Sequence, residues 1–192
     1  MGLLVNKMLT PRVLSDAELA ANGAVVFDKP RIIKPFELLD QNNQPFTLEQ
    51  LKGQWTLMFF GFATCPDICP TTLSTLSSWV ATLDDDIARN TQIVMVTVDP
   101  ARDTPEQLKT YMAHFNKDFI GVTGEFLSIK RLTDNVNVAF NKVQLDDDYT
   151  VDHSGNLVLV NPFGHYHGFF KPPFVLSGLK LTYQSIVTSF DP

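Results

Sequence analysis

The sequence predicts a three-layer α/β domain, and three observations point to it. A nearly unbroken apolar run, Leu57-Met58-Phe59-Phe60-Gly61-Phe62, reads as a strand buried on both faces of a sheet. A second such run, Ile93-Val94-Met95-Val96-Thr97-Val98, follows after a segment with helical spacing. The chain then continues this alternation before ending in a hairpin pattern and a last amphipathic stretch.

The elements follow in order. Residues 1–34 read as an arm, with the folded domain over 35–192. In the arm, Ser15-Asp16-Ala17-Glu18 is a capping box and Gly23 a helix stop, so a helix of about two turns is expected. Gly2-Leu3-Leu4-Val5 is a short apolar start cut off by Asn6 and Lys7. It reads as a frayed terminus or as the outer end of an anchor helix. A myristoylation signal is rejected, because the position wanting Ser or Thr holds Asn6. Phe36-Glu37-Leu38-Leu39 and Pro45-Phe46 flank a polar turn and make an N-terminal hairpin. Thr47-Leu48-Glu49-Gln50 opens a short helix closed by Gly53.

After the first buried strand comes a loop with both cysteines of the protein, Cys65-Pro66-Asp67-Ile68-Cys69-Pro70. Leu73, Leu76, Val80 and Leu83 then keep helical spacing. With Pro70 as the first helical residue, Cys69 falls at about the N-cap, where free N–H groups favour a thiolate. Asp84-Asp85-Asp86 lies near that helix's C-terminal end and reads as a solvated face or loop. Thr104-Pro105-Glu106-Gln107 starts the next helix, with Leu108, Tyr111, Met112 and Phe115 as its apolar stripe. A strand over 119–122 and a helix from about Glu125, with Phe126, Ile129, Leu132 and Val136 inward, come next. Residues 141–148 read as an acidic loop. Strands over 157–160 and 165–170 form a hairpin across Asn161-Pro162-Phe163-Gly164, and Leu179, Tyr183, Ile186, Val187 and Phe190 mark the closing helix.

Of the 192 residues 44% are hydrophobic, enough for a real core. The net charge of -6 argues against nucleic acid as the main partner. No stretch reaches the ~18 apolar residues of a membrane helix. Two cysteines are too few for a disulfide scaffold. Placed together after a central strand, where open α/β sheets bind ligands, they make either a redox pair or a soft-metal site.

Three segments together resemble the Sco/SenC family of copper-binding assembly proteins. They are the CxxxCP of Cys65 to Pro70; Thr97-Val98-Asp99-Pro100-Ala101-Arg102-Asp103-Thr104-Pro105-Glu106; and Val151-Asp152-His153-Ser154. The resemblance runs from about Phe36 to the C-terminus. It implies a thioredoxin-like fold, with a central mixed β-sheet flanked by helices. It implies one copper ion bound by Cys65, Cys69 and His153, and a role in assembling the copper site of cytochrome c oxidase subunit II, with another periplasmic copper chaperone as a further partner. It also implies a place on the periplasmic side of the bacterial inner membrane, tethered by an anchor upstream. The alternative is a thiol–disulfide oxidoreductase that uses Cys65 and Cys69 as a redox pair to reduce the oxidase cysteines. A peroxidase is the third reading.

Soft thiolates suit Cu(I), and an added imidazole lets a site also hold Cu(II). Zinc, which prefers four ligands in structural sites, fits less well. No proline lies in 151–156, where thioredoxins carry one facing their cysteines, which favours a metal ligand at His153. Asp152 reads equally as a partner orienting that imidazole and as a solvated carboxylate. Asp99, Arg102 and Asp103 read as a structural ion pair or cap flanking the site. His165 and His167 share a strand face; they read as exposed hairpin residues rather than a second metal site. His114 has no assigned role. Lys171-Pro172-Pro173 with Phe169 and Phe170 reads as a partner-facing patch or as a plain connection. The polar approach to His153 predicts that, without metal, its ring lies away from the sulfurs.

Overall fold

The computed structural model describes residues 12–146 and 148–190. The helices are α1 (Asp16–Ala21), α2 (Ile68–Val80), α3 (Asp85–Arg89), α4 (Pro105–Ala113), α5 (Phe126–Asn135) and α6 (Leu176–Ser189). The strands are β1 (Ala24–Ile32), β2 (Leu38–Asp40), β3 (Pro45–Phe46), β4 (Trp55–Gly61), β5 (Thr91–Thr97), β6 (Ile120–Thr123), β7 (Phe140–Gln144), β8 (Tyr149–His153), β9 (Leu157–Val160) and β10 (His165–Phe170).

Eight strands form one mixed sheet in the order β1-β10-β9-β4-β5-β6-β2-β3. β4, β5 and β6 run parallel, and the remaining pairs are antiparallel. All seven residues of β4 are buried, as an apolar run without alternation demands. Helices join β4 to β5 and β5 to β6, since parallel neighbours need a crossover. Helix α6 closes the core against α2, with Trp79 and Tyr183 edge to face at 4.9 Å. No described helix is long and apolar enough to cross a membrane.

The stretch read as an arm is partly sheet. Helix α1 forms with the full capping box at Ser15 and Glu18, and Gly23 ends it at φ +81°, a conformation that suits glycine. The chain then becomes β1, an edge strand paired with β10, so the main sheet begins before residue 35. Pro30 hid this strand from the sequence reading. Proline is confined to edges and bulges, and β1 has a register break between Val26 and Arg31. The apolar start at 2–5 lies outside the described residues.

Other departures have simple causes. Asp84 is the N-cap of a separate helix, α3, with Asp85 and Asp86 in its first turn, where anions are favourable. Phe126 opens α5 facing out rather than in, while Ile129, Leu132 and Val136 are buried. The polar segment read as a loop is mostly the β7–β8 hairpin, which pairs with no strand of the main sheet.

Candidate metal centre

The centre sits beyond the C-terminal ends of β4 and β5, where a parallel sheet leaves its crevice. β4 delivers the chain into the cysteine loop. Helix α2 begins earlier than the sequence suggests: Asp67 is the N-cap, Cys69 the second helical residue and Pro70 the third. Pro70 is tolerated there because that N–H also has no helical partner. The N–H of Cys69 donates to Cys65 Sγ at 3.4 Å, so Cys65, not Cys69, receives the free N–H of the helix end. Cys69 is completely buried and Cys65 half-buried.

Burial pushes the Cys69 thiol well above the ordinary cysteine range, and the neighbouring Cys65 sulfur adds to this. The expected thiolate at Cys69 is therefore corrected: desolvation outweighs the helix end. Gly61 explains how the sulfur fits. A Cβ on Gly61 would lie 2.8 Å from Cys69 Sγ and 2.7 Å from Phe59 Cε1. Only a residue without a side chain lets the buried thiol lie against β4.

His153 is the last residue of β8. Its Nε2 lies 3.7 Å from Cys69 Sγ, and one ligand atom each from Cys65, Cys69 and His153 fall within 4.8 Å of one another. A first-row ion held at about 2.0–2.3 Å from each ligand sets such atoms roughly 3.3–4 Å apart, so only a small contraction is needed. The expectation of an imidazole turned away from the sulfurs is not met. Among the described residues, this is the group of Cys, His, Asp and Glu side chains close enough to hold a metal.

The ring is oriented by Ser154, not Asp152. Nδ1 lies 3.2 Å from the Ser154 carbonyl, which only accepts, so Nδ1 carries the proton and Nε2 keeps its lone pair for the site. Phe59 and Phe62 meet the imidazole edge-on at 5.9 and 6.0 Å. Burial lowers the His153 pKa below the usual imidazole range, which keeps the ring neutral and able to ligate.

The Asp99–Asp103 loop buttresses both halves. Asp103 Oδ2 accepts from the Ala63 N–H at 3.0 Å and the Thr97 hydroxyl at 2.7 Å, which fixes the chain two residues before Cys65. Arg102 pairs with Asp99, as a structural ion pair at this loop required. His167 is not an exposed hairpin residue. It is buried against Trp55 and Phe190 at 5.1 and 5.4 Å, with Asn161 Nδ2 near its Nδ1 at 3.4 Å. His165 remains half-buried beside Phe163. Sequence reasoning missed Gly61, Phe59 and Phe62, although the glycine ending an apolar run was the available signal.

Two desolvated imidazoles, half-buried His153 and buried His167, set an acid limit. Burial lowers the pKa of both His153 and His167. Below the unfolded range, about pH 6.5, the unfolded chain takes up protons that the folded chain refuses. Stability present above that pH is therefore lost as pH falls through the lower folded values. Asp103, raised by burial, works in the opposite sense. The comparison of parent with His153→Gln isolates the imidazole share. Denaturant midpoints of the metal-free parent should fall between about pH 7 and pH 5, and less steeply in His153→Gln. Identical slopes would mean that His153 titrates as a free imidazole.

Known proteins resemble this chain over most of its length. A family model described as SCO1/SenC matches residues 26–175. A Stutzerimonas stutzeri protein, named as a candidate copper-binding protein, is 42% identical over 173 residues, covering 90% of this chain and 85% of that one. Protein SCO2, mitochondrial, of Saccharomyces cerevisiae is 38% identical over 158 residues, covering 81% of this chain and 52% of that protein, so the chain spans about half of that relative's length. The crystal structure of Arabidopsis thaliana ScoI with copper bound superposes with a TM-score of 0.76 at 32% identity, over 81% of this chain and 98% of that one. The thioredoxin-like α/β fold, with its central mixed sheet flanked by helices, is thereby borne out. A family match over most of the chain, joined to relatives at this level of identity, places the chain in the SCO1/SenC family.

Proposed function

We propose that this protein is a copper metallochaperone that holds one copper ion through Cys65, Cys69 and His153. The observation that carries the reading is the convergence of those three ligand atoms within 4.8 Å. The donor set fits copper: two soft sulfurs serve Cu(I), and the imidazole adds a ligand suited to Cu(II). Binding displaces the thiol protons, and the neutral Nε2 needs to lose none. Three ligands leave a coordination face open, and Cys65 on the half-exposed side gives an acceptor's ligands a place to enter.

The family resemblance extends this reading to a partner. The acceptor is the copper site of cytochrome c oxidase subunit II, with another periplasmic copper chaperone as a source of metal. The place of action is the periplasmic side of the bacterial inner membrane. The competing thiol–disulfide and peroxidase readings need an attacking thiolate. A Cys69 thiol raised by burial is a poor one at neutral pH, which weighs against Cys69 in that role.

An anaerobic Cu(I) titration tests the proposal. The reduced protein should bind about one copper per chain, and the disulfide form should bind poorly because thiolates are the ligands. Equal affinity before and after oxidation would remove Cys65 and Cys69 from the site.

A further inference from the structure

The centre is assembled from two parts that share no strand pairing: the cysteine loop on the main sheet and the separate β7–β8 hairpin that carries His153. Something must hold the hairpin in register with the sulfurs. Tyr149, Val151 and His153 alternate along β8, so their side chains share one face of the strand. Val151 is buried, and Tyr149 begins the strand about 13 Å from His153 at the usual rise per residue.

Tyr149 is gripped on several sides. Lys142 Nζ lies 3.4 Å and the Arg102 guanidinium carbon 3.9 Å from its ring centroid. Its hydroxyl donates to Asp99 Oδ1 at 2.9 Å. Arg102 pairs with Asp99 and also reaches Asp148 at 3.2 Å. From Asp99 the bonds continue inward. The Asp99 N–H donates to Thr97 Oγ1 at 2.9 Å, that hydroxyl donates to Asp103 Oδ2 at 2.7 Å, and the same oxygen accepts from the Ala63 N–H at 3.0 Å. Every donor in this chain meets an acceptor, and its last member lies two residues from Cys65.

We propose that Tyr149 is a positioning residue of the metal centre: it clamps β8 to the Asp99–Asp103 loop and so sets His153 against the two sulfurs. A cation over an aromatic face is a directional contact, and here two act on one ring. The hydroxyl bond to a buried carboxylate fixes the ring's remaining freedom. A β-strand five residues long passes that placement to His153 with little slack. The idea rests on the copper reading for its purpose, but its geometry is testable without metal.

The experiment compares Tyr149→Leu and Tyr149→Phe with the parent protein. In the metal-free proteins, NMR reads nuclear Overhauser contacts between the His153 ring and the rings of Phe59 and Phe62. Cu(II) titration then reads affinity and the imidazole contribution to the copper spectrum. Tyr149→Leu should lose the ring contacts and weaken Cu(II) binding about ten- to a hundredfold, with an unchanged far-UV spectrum, as loss of an orienting partner does. Tyr149→Phe keeps the ring under both cations and should restore most of both signals. Parent-like ring contacts in a folded Tyr149→Leu would overturn the proposal. If that variant fails to fold, Arg102→Gln reads the same quantities, since it removes one cation from the ring and the partner of Asp99. A parent that binds no copper through His153 would sink the functional reading instead, and the ring contacts would still decide the clamp.

Discussion

Cys69→Ala lowers copper affinity by about two to three orders of magnitude. Four-ligand zinc sites rich in thiolate bind with about 10–16 kcal/mol at neutral pH, or about 2.5–4 kcal/mol per ligand. Losing one ligand of three therefore costs a hundred- to a thousandfold, to order of magnitude. Cu(I), which depends most on soft sulfur, should fall furthest. The pH dependence identifies the lost group. Burial holds the Cys69 proton through the neutral range, so copper must displace it. Each proton released steepens affinity about tenfold per pH unit, and Cys69→Ala should flatten the slope by one such step. The metal-free fold should survive, because alanine leaves only a small void beside Gly61 and Phe59. Competition titrations at two or three pH values measure both quantities. Parent-like affinity with a parent-like slope would take Cys69 out of the ligand set.

Much of this molecule is legible in its sequence where one physical rule acts alone. β4 and β5 declare themselves because burial on both faces leaves no polar position. Ser15, Thr47 and Thr104 all form the capping boxes that their spacing announces. Legibility fails where two rules compete. Pro70 marks a helix start, but Asp67 can also end the loop, and the chain takes Asp67 as the N-cap and starts the helix at Ile68. The helix end argues for a Cys69 thiolate while burial argues against it, and only the folded sheet shows that burial is complete. The β7–β8 hairpin is mostly polar because neither outer edge joins the main sheet, so composition imitates a loop. His167 is buried by Trp55 on β4 and by Phe190 just past α6, both distant in the chain, which no local pattern reports. The trio of Cys65, Cys69 and His153 was legible through its motifs, whereas the contacts we propose to set His153 against the sulfurs, those of Tyr149, are long-range and were not.

Gly61→Ala damages stability and the metal centre together. The added Cβ would fall 2.8 Å from Cys69 Sγ and 2.7 Å from the Phe59 ring, both closer than real Cβ contacts come. Neither neighbour can yield cheaply. Cys69 is fully buried in the first turn of α2, and Phe59 is fully buried in β4 with its ring against His153. Overpacking of this kind costs about 1–3 kcal/mol. For a chain of this size that is a fall in Tm of about 2–12 °C. The relief route matters more than the total. Rotating the Cys69 side chain away from β4 moves its sulfur off the point shared with Cys65 and His153, and shifting Phe59 disturbs the wall behind the imidazole. Copper affinity should therefore drop well beyond what the Tm loss alone explains at a temperature where the variant is fully folded. The control is Gly124→Ala, where a Cβ would meet Leu38 Cδ2 at 2.8 Å, on strand β2 beyond β6. That variant should lose stability but keep its copper affinity. If Gly61→Ala melted like Gly124→Ala and bound copper like the parent, the thiol would have room to spare, and the close approach at Gly61 would not be what places it.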